Sequence, residues 1–454
     1  MRAVDVIQEK RDGQAHATGV LHDWIEDYAR GRIPDYQMSA WLMAVYFRGL
    51  TARETADLTM AMARSGAQLD LARFGARSAD KHSTGGVGDK TSLVAAPLAA
   101  AAGVKVAKMS GRGLSHTGGT IDKLESIAGF SAALTRERFD RQMDDVGLVI
   151  AGQSSELAPA DKLLYALRDV TATVESLPLI ASSIMSKKLA AGAHNIVLDV
   201  KTGSGAFMKT PEQAALLAEA MVSIGRRAGR RVVALITNMD HPLGNAVGNA
   251  LEVEEAVRAL RGEGPADLTA IALSLATEMV AQGDDDQAIK TARTAVERAL
   301  HSGAGLRKLR DMVIAQGGLW EREQELPQLP GPAPEIGVRK AVGDGYVKRI
   351  DALAVGRAAM LAGAGRETKD DSVDPRTGIV LHKQIGEFCI ADDTLATLYA
   401  TDGKRLRLAQ EELDRAFSLT VHPVERGSAI LARVDQAGVV WHDCGHVRRA
   451  DTGE

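Results

Sequence analysis

Hydrophobic and polar positions in the first 66 residues recur at helical spacing, with no strand-like alternation. Trp41 and Val45 lie one turn apart on one face of a predicted helix. Thr51 and Glu54 have the spacing of a capping box, which predicts the start of another helix. The N-terminal part of the chain is therefore predicted to be a small all-helical unit.

From about residue 80 the pattern changes to short apolar runs separated by glycine-rich loops and helices. The runs 104–109, 196–200 and 230–237 predict buried strands, and the segments 91–102 and 120–128 predict helices. Strands that alternate with helices favour a parallel sheet covered by helices, in which ligands bind at the carboxyl ends of the strands.

Two further segments divide the chain. Helical sequence interrupts the strand–helix alternation before residue 193, and LPQLPGPAPE holds four of the thirteen prolines, as expected of a linker. We predict a small helical domain, a larger α/β domain with a mainly parallel sheet, and a C-terminal α+β module. Their predicted bounds are 1–66 (helical domain, first part), 67–156 (α/β domain, first part), 157–192 (helical domain, second part), 193–325 (α/β domain, second part), 326–335 (linker) and 336–454 (C-terminal module).

Composition narrows the functional class. The 454 residues, 45% of them hydrophobic, are enough to bury large cores. A net charge of −4 and only 4% aromatic residues argue against a nucleic-acid partner. The charged N-terminus does not resemble a signal peptide, and no apolar run reaches the roughly 18 residues of a membrane span. Two cysteines cannot form a disulfide framework. These features predict a cytoplasmic enzyme without a membrane partner.

The first glycine-rich loop, KHSTGGVGDKTS (81–92), combines phosphate-binding features with a protonatable group. Glycine lets backbone N–H groups approach an anion, Lys81 supplies a positive charge, and His82 can donate or accept a proton near neutral pH. The loop is not a Walker A motif, because Asp89 stands between the last glycine and Lys90. A tight strand-to-helix turn is the structural alternative.

The second glycine-rich loop, SGRGLSHTGGT (110–120), places Ser110 at a predicted strand end and Thr120 at a predicted helix start. One such loop is weak evidence for a ligand site. Two together, each flanked by a lysine (Lys81 and Lys108), indicate an anion-binding site rather than two structural turns.

The helical insert carries a third group of polar residues. Ser176 is a candidate helix cap, and Ser183 and Lys187 lie four residues apart, so they share one helix face and can touch one ligand. Arg168 lies one loop away. The alternative is an exposed lysine and an ordinary helix serine.

The C-terminal tail contains His442, Cys444 and His446 at alternate positions. Their spacing matches no common zinc pattern, so we predict a cluster at a strand end and no metal site.

Taken together, the motifs resemble those of the thymidine and pyrimidine-nucleoside phosphorylases. The resemblance implies reversible reaction of phosphate with a pyrimidine (deoxy)nucleoside, thymidine first, to give free base and a pentose 1-phosphate. It also implies a helical and an α/β domain that close over a cleft, and homodimers whose helical domains meet. The segments that carry it extend over essentially the whole chain and are 81–92, 110–125, 165–190, 199–208, 242–256 and 363–387.

The resemblance assigns roles to residues that match the family motifs. The implied phosphate-binding residues are Lys81, Ser83, Ser92, Ser110 and Thr120. The implied pyrimidine-binding residues are His82, Arg168, Ser183 and Lys187, of which His82, Arg168 and Lys187 are also the implied catalytic residues. Further implied roles are orientation of the arginine by Asp161 and lining of the base pocket by Leu114 and Phe207.

The residue types suit cleavage of an N-glycosidic bond. Negative charge develops on the leaving pyrimidine, where the Arg168 and Lys187 cations would stabilise it. Ser183 would bond N3, and a protonated His82 would donate to O2. Phosphate would attack C1′ from the opposite face, so inversion without a covalent enzyme intermediate is expected. Domain closure would exclude water and bring the reactants together.

One position departs from part of the family. Some members bind a monovalent cation near the first loop and have a threonine where this chain has Lys90, whereas Leu243, Ala246 and Glu255 match. We expect the Lys90 ammonium to pair with Glu255 and to make the ion unnecessary. No other cofactor is expected, and phosphate is a co-substrate.

The nearest alternative is a phosphoribosyltransferase of related fold, such as the anthranilate enzyme. Its chemistry needs pyrophosphate and usually Mg²⁺, so a second acidic cluster would be expected beside the phosphate loops. The acidic residues there are only Asp89 in the first loop and Asp122 with Glu125 after the second. The second alternative belongs to another class. A catalytically inactive nucleoside-binding protein would lack one or more of the implied catalytic residues, and all three are present. The choices of deoxyribose against ribose and of thymine against uracil stay open, because one methyl group changes binding by only about 1–3 kcal/mol.

Overall fold

A computed structural model describes residues 2–113, 116, 118–152, 156–368 and 371–442, together with the backbone of 447–449; at residue 72 it describes the backbone only. Within these residues the helices and strands follow one another in three parts. The first part contains α1 (Ala3–Arg11), α2 (Thr18–Ala29), α3 (Asp35–Arg48), α4 (Ala52–Arg64), β1 (Ser78–Ser83), α5 (Thr91–Ala101), β2 (Lys105–Ser110), α6 (Thr120–Leu124), α7 (Arg136–Asp145) and β3 (Leu148–Gly152). The second contains α8 (Pro159–Val170), α9 (Leu177–Ala190), β4 (Asn195–Thr202), α10 (Pro211–Arg227), β5 (Arg231–Asn238), β6 (Ala246–Val247), α11 (Asn249–Leu260), α12 (Ala266–Val280), α13 (Asp286–His301) and α14 (Ala304–Ala315). The third contains β7 (Glu335–Lys340), β8 (Gly345–Ile350), α15 (Ala352–Ala359) with a π-helical turn (Met360–Ala364), β9 (Gly378–Leu381), β10 (Phe388–Cys389), β11 (Thr394–Ala400), α16 (Gly403–Ala416), β12 (Phe417–Thr420), β13 (Ile430–Asp435), β14 (Gly438–His442) and β15 (Val447–Arg449).

Local sequence signals explain several element ends. The Thr51 hydroxyl accepts a hydrogen bond from the Glu54 backbone N–H, and the Glu54 carboxylate accepts one from the Thr51 N–H, so both halves of the predicted capping box form at the start of α4. At the start of α10 the Thr210 hydroxyl accepts a hydrogen bond from the Gln213 N–H. Ser176 occupies the predicted cap position of α9, but its side chain makes no capping hydrogen bond.

The predicted mixture of a helical layer and a mainly parallel sheet is confirmed. The main sheet has the strand order β15-β14-β13-β5-β4-β1-β2-β3, and its five strands from β5 to β3 are parallel. The carboxyl ends of these five strands therefore lie along one edge, where the two glycine-rich loops follow β1 and β2.

The other three strands of the main sheet come from the C-terminal segment. Strand β13 pairs antiparallel with β5, and β14 and β15 continue outward from it. The sequence analysis assigned this segment wholly to a separate module, because strand partners distant in the chain leave no local signal. The remaining C-terminal strands form a three-stranded sheet and a four-stranded sheet, and β6 joins the four-stranded one.

Helix α9 connects the helical layer to the sheet. Its residue Leu179 packs in the helical core with Trp24 and Trp41, whereas Met185 and Leu189 pack against the side of the sheet that α10 covers. One helix thus contributes to both hydrophobic cores, and the residues along it lie between the two layers.

None of the helices in the described part of the chain is long and apolar enough to cross a membrane. The first of the two cysteines, Cys389, is buried as a free thiol, and Cys444 lies outside the described residues.

Candidate active site

Strand β1 presents functional side chains to both faces of the sheet. Successive residues of a strand point to opposite faces, so Lys81 and Asp80 diverge. The Lys81 ammonium donates to the Thr91 hydroxyl of α5 at 2.6 Å, whereas Asp80 accepts from Lys188 of α9 at 2.9 Å. Strand β1 therefore carries side chains that contact α5 on one face of the sheet and α9 on the other face.

A cluster of lysines and carboxylates lies under α5. Asp199 of β4 pairs with Lys81 at 3.3 Å and with Lys201 at 2.8 Å, and all three side chains are buried. Burial raises the pKa of Asp89, but Lys201, Lys81 and Lys123 together hold it well below its usual range. With Glu252, which pairs with Lys123, the cluster contains three buried ammonium groups and three carboxylates.

The Asp89 carboxylate occupies donors at the start of α5. It accepts from the Ser83 hydroxyl, from the Thr91 hydroxyl at 2.6 Å and from the Thr91 N–H at 3.2 Å. Ser92 lies in the first turn of the same helix, with its hydroxyl 3.4 Å from the Lys81 ammonium. Backbone N–H groups at a helix start favour negative charge, so a carboxylate already uses this anion-binding end.

The second glycine-rich loop closes on the first through α6. Ser110 ends β2 and Thr120 begins α6, as predicted. Lys123, buried one turn into α6, donates to the Asp89 carbonyl at 2.6 Å and pairs with Glu252 of α11 at 2.7 Å. Lys123 thereby fixes the spacing between the two loops.

On the helical side, Ser183 and Lys187 share one face of α9, as their spacing predicts. The Lys187 ammonium donates to the Ser183 hydroxyl at 3.1 Å and to the Asp161 carboxylate of α8 at 2.5 Å. Asp161 therefore orients Lys187. Burial lowers the pKa of Arg168 and the charge of Asp161 raises it, so Asp161 also acts on the guanidinium, which donates to other acceptors.

Those acceptors are backbone carbonyls. Arg168 donates to the carbonyls of Thr173 at 3.2 Å, Val174 at 2.6 Å and Leu179 at 3.1 Å. A guanidinium has five N–H donors, so two remain for a ligand after these three bonds. The side chain is thus rigidly held with donors to spare.

His82 lies between the two groups of residues. Burial lowers its pKa well below the usual value, and the charges of Lys188, Lys108, Lys81 and Lys187 lower it further. The imidazole is therefore neutral at neutral pH. A neutral imidazole still offers one N–H donor. Because His82 responds to lysines of both groups, it lies within electrostatic reach of each.

Two more buried lysines surround this strand. Lys188 donates to Asp80 and, at 3.2 Å, to the Met109 carbonyl. Lys108 donates to the Lys81 carbonyl at 2.8 Å, and burial together with the nearby Lys188 lowers its pKa to about 7. Asp80 pairs with Lys188, and its charge also opposes the lowering of the Lys108 pKa, so one carboxylate acts on both ammonium groups.

The remaining predicted residues have mixed outcomes. Phe207 lies on the loop that follows β4 and is 47% exposed. Leu114 lies outside the described residues. In the tail, His442 ends β14, and Cys444 and His446 also lie outside the described residues.

Lys90 occupies a cage of oxygen atoms. Its ammonium donates to the carbonyls of Leu243 and Ala246, both at 2.9 Å, and to Glu255 at 2.5 Å. Gly244 completes the cage with a φ of +71°, and a Cβ there would lie 2.4 Å from a Glu255 oxygen. An ammonium group with three oxygen acceptors uses all three of its donors.

The sequence analysis assigned no role to Lys123, Asp199 or Lys201. A signal was available for two of them, since Asp199 and Lys201 are alternate charged residues on a strand of otherwise apolar pattern. Such charges face one side of a strand and are almost never buried unpaired. Lys123 carried no such signal, because its partners lie on a loop and a helix far away in the chain.

Sequence profiles of three domain families match the chain. The glycosyl transferase family helical bundle domain matches residues 4–66, and the glycosyl transferase family a/b domain matches residues 75–306. The pyrimidine nucleoside phosphorylase C-terminal domain matches residues 346–420.

Full-length relatives agree with the profiles. The chain is 49% identical over 437 residues to the pyrimidine-nucleoside phosphorylase of Geobacillus stearothermophilus, covering 96% of this chain and 100% of that protein. It is 52% identical over 400 residues to the protein of the same name from Bacillus subtilis (strain 168), covering 88% and 92%.

The fold of this chain is similar to that of a solved structure. Anthranilate phosphoribosyltransferase from Thermus thermophilus matches with a TM-score of 0.55 and 21% identity, over 69% of this chain and 99% of that one. At this identity the likeness shows the fold alone.

Proposed function

The chain belongs to the pyrimidine-nucleoside phosphorylase family of glycosyl transferases, and we propose that thymidine, 2′-deoxyuridine and uridine are its substrates, with thymidine preferred. The enzyme is a pentosyltransferase that reversibly cleaves pyrimidine nucleosides with phosphate. The observation that carries the site assignment is strand β1, whose Lys81 donates to Thr91 of α5 and whose Asp80 pairs with Lys188 of α9, the helix that also carries Ser183 and Lys187.

On the base side, the residues of α8 and α9 hold the pyrimidine. Arg168 uses its two remaining N–H donors, and Lys187 its charge, to stabilise the negative charge that develops on the leaving base. Ser183 bonds N3, and neutral His82 donates its N–H to O2. Leu114 and Phe207 line the base pocket.

On the phosphate side, the ligand takes over the Ser83 hydroxyl, which now donates to Asp89. Lys81, Ser83, Ser92, Ser110 and Thr120 hold the anion. Phosphate attacks C1′ from the face opposite the base, through an oxocarbenium-like state and with inversion. The buried ammonium groups attract the dianion and orient it for attack.

The test is the release of base from each of the three nucleosides, with and without phosphate, in EDTA. We expect release that requires phosphate and is insensitive to the chelator, with thymidine cleaved fastest. NMR of the sugar phosphate identifies its anomer, and the α-anomer is expected from a β-nucleoside. Absence of release with all three nucleosides would contradict the assignment.

We also propose that the enzyme needs no monovalent cation, because the Lys90 ammonium fills the oxygen cage. Activity in potassium-free buffer is expected to equal that after addition of potassium chloride. The Lys90→Thr variant is expected to lose activity without potassium and to regain it with the ion. Strict potassium dependence of the unaltered enzyme would contradict this role of Lys90.

A homodimer through the helical domains is the proposed assembly. Tyr36, Ala40, Met43 and Phe47 recur along one face of α3, and Tyr36 and Phe47 are 73% and 76% exposed. A second copy that packs there would bury this apolar face. Light scattering should give a dimer mass, and Phe47→Glu should shift it to the monomer; an unchanged mass would place the contact elsewhere.

A further inference from the structure

A side chain of the C-terminal segment contacts the second glycine-rich loop. Arg366, which follows the π-helical turn after α15, donates to the Asp122 carboxylate at 2.8 Å and to the Gly113 carbonyl at 3.3 Å. The Arg366 side chain is 12% exposed and that of Asp122 is 5% exposed. The ion pair joins residues 244 positions apart, so it ties the C-terminal segment to the α/β domain.

Asp122 holds the same loop from the other side. Its second carboxylate oxygen accepts from the Gly113 N–H at 2.6 Å. Arg366, Asp122 and both polar groups of the Gly113 backbone thus form a closed ring of hydrogen bonds. Ser110 lies three residues before this ring, and Thr120 lies two residues before Asp122.

A second arginine pairs with the same carboxylate but is placed differently. Arg112 contacts Asp122 at 3.3 Å and Glu125, and its side chain is 56% exposed. Exposed pairs contribute about 0–1 kcal/mol and are screened by salt. The Arg366 side chain is much less exposed than that of Arg112, so its ion pair with Asp122 is less screened by solvent. Arg366 also donates directly to the Gly113 carbonyl.

We propose that Arg366 is a positioning residue for phosphate, which holds the Gly113 backbone after Ser110 and, through Asp122, the start of α6 at Thr120 in the positions that receive the anion. The inference rests on the proposed function, because it takes these two hydroxyls as phosphate ligands. A loop held before the ligand arrives spares the ordering cost of binding. The C-terminal segment thereby contributes to substrate affinity without touching substrate.

The test compares steady-state kinetics of Arg366→Gln with those of the unaltered enzyme. We expect KM for phosphate to rise about ten-fold, the loss of one charged hydrogen-bonding pair. KM for thymidine should change less than about two-fold, and kcat at saturating phosphate should persist, because the base site lies on other elements. Arg366→Lys should recover part of the phosphate affinity, since it restores the charge but not the two-pronged geometry.

Arg376→Gln is the matched control, because Arg376 pairs with Asp374 within the C-terminal segment. It should leave both KM values unchanged. Asp122→Asn keeps an acceptor for the Gly113 N–H but removes the charge that Arg366 binds. It should reproduce the rise in KM for phosphate, and the double variant Arg366→Gln/Asp122→Asn should add little to it.

The outcomes separate the two proposals. Unaltered enzyme without phosphorolysis would refute the proposed function. Active unaltered enzyme with an unchanged KM for phosphate in Arg366→Gln, or with equal rises in both KM values, would refute only the role of Arg366. If Arg366→Gln does not fold, Asp122→Asn and Arg366→Lys decide in the same way, and an unchanged KM for phosphate in both would overturn the proposal.

Discussion

Single lysines determine the electrostatics of this site. Three lysines under α5 face three carboxylates, while Lys187 and Lys188 of α9 pair with Asp161 of α8 and with Asp80 of β1. Each of these ammonium groups has a carboxylate partner, which offsets the large cost of burying a charge. Burial and nearby lysines hold the pKa of His82 well below its usual value, so we expect it to act as a hydrogen-bond donor rather than as a cation.

Lys187 offers the clearest test of leaving-group stabilisation. Lys187→Met removes a cation aimed at the charge that forms on the pyrimidine, so we expect kcat/KM for thymidine to fall about 10²–10³-fold. Lys162→Met is the matched control, since Lys162 is an exposed lysine on α8 next to Asp161. Steady-state kinetics of both variants check this. Equal activity in the two would remove Lys187 from the mechanism.

The lowered pKa of Lys108 leads us to expect that the enzyme takes up protons when phosphate binds. Its pKa of about 7 in the folded protein lies below the ordinary 10.5, so at about pH 8.5 the amine is mostly neutral. A bound phosphate dianion favours the charged form and raises this pKa, so binding should take up a fraction of a proton. Calorimetry in buffers of different ionisation enthalpy measures the uptake.

Lys108→Met should abolish this uptake. Lys105→Met should retain it, because Lys105 lies at the opposite end of β2 and donates to carbonyls of Met143 and Asp144. Identical uptake in the Lys108→Met variant would assign the proton to another group.

At the scale of elements, sequence patterns predicted the helices and strands but not their partners. The strand predicted over 104–109 and the capping box at Thr51 both appear in the structure, because each depends on residues close in the chain. The hydrogen bond from Lys187 to Asp161 and those from Arg168 to backbone carbonyls were not predicted, since they depend on how α8 meets α9 and on carbonyls that no side-chain pattern reveals. Contacts between distant elements are the part that the sequence could not supply.

The contact between α9 and β1 can be tested through its buried ion pair. Lys188→Met leaves the Asp80 carboxylate buried without its partner, so we expect the free energy of unfolding to fall by about 3–5 kcal/mol. The double variant Asp80→Leu/Lys188→Met removes both charges and should recover most of that loss. Urea unfolding of the two variants checks this, and a double variant as unstable as the single one would show that packing dominates.

At the scale of the whole molecule, the C-terminal segment is part of both the sheet and the site. Its strand β13 covers the edge of β5, and Arg433 of β13 pairs with Glu278 of α12 at 2.7 Å and with Asp284 at 3.2 Å. Arg231 of β5 pairs with the same two carboxylates. These shared ion pairs join β13 and β5 to α12, so the C-terminal segment stabilises a sheet whose parallel strands come from earlier residues of the chain.

Truncation of the chain tests this dependence. Removal of residues 429–454 deletes β13 to β15 and leaves the β5 edge with unpaired N–H and carbonyl groups. It also leaves Glu278 and Asp284 with Arg231 as their only shared cation among the described pairs. Removal of 451–454 is the control, since it leaves these strands in place.

We expect the longer truncation to lower the unfolding midpoint in urea and to promote aggregation, which light scattering measures. The proposed phosphate and base residues all precede residue 208, so any activity of the soluble fraction should keep the substrate preference of the full chain. A longer truncation as stable and soluble as the control would mean that β5 needs no cover.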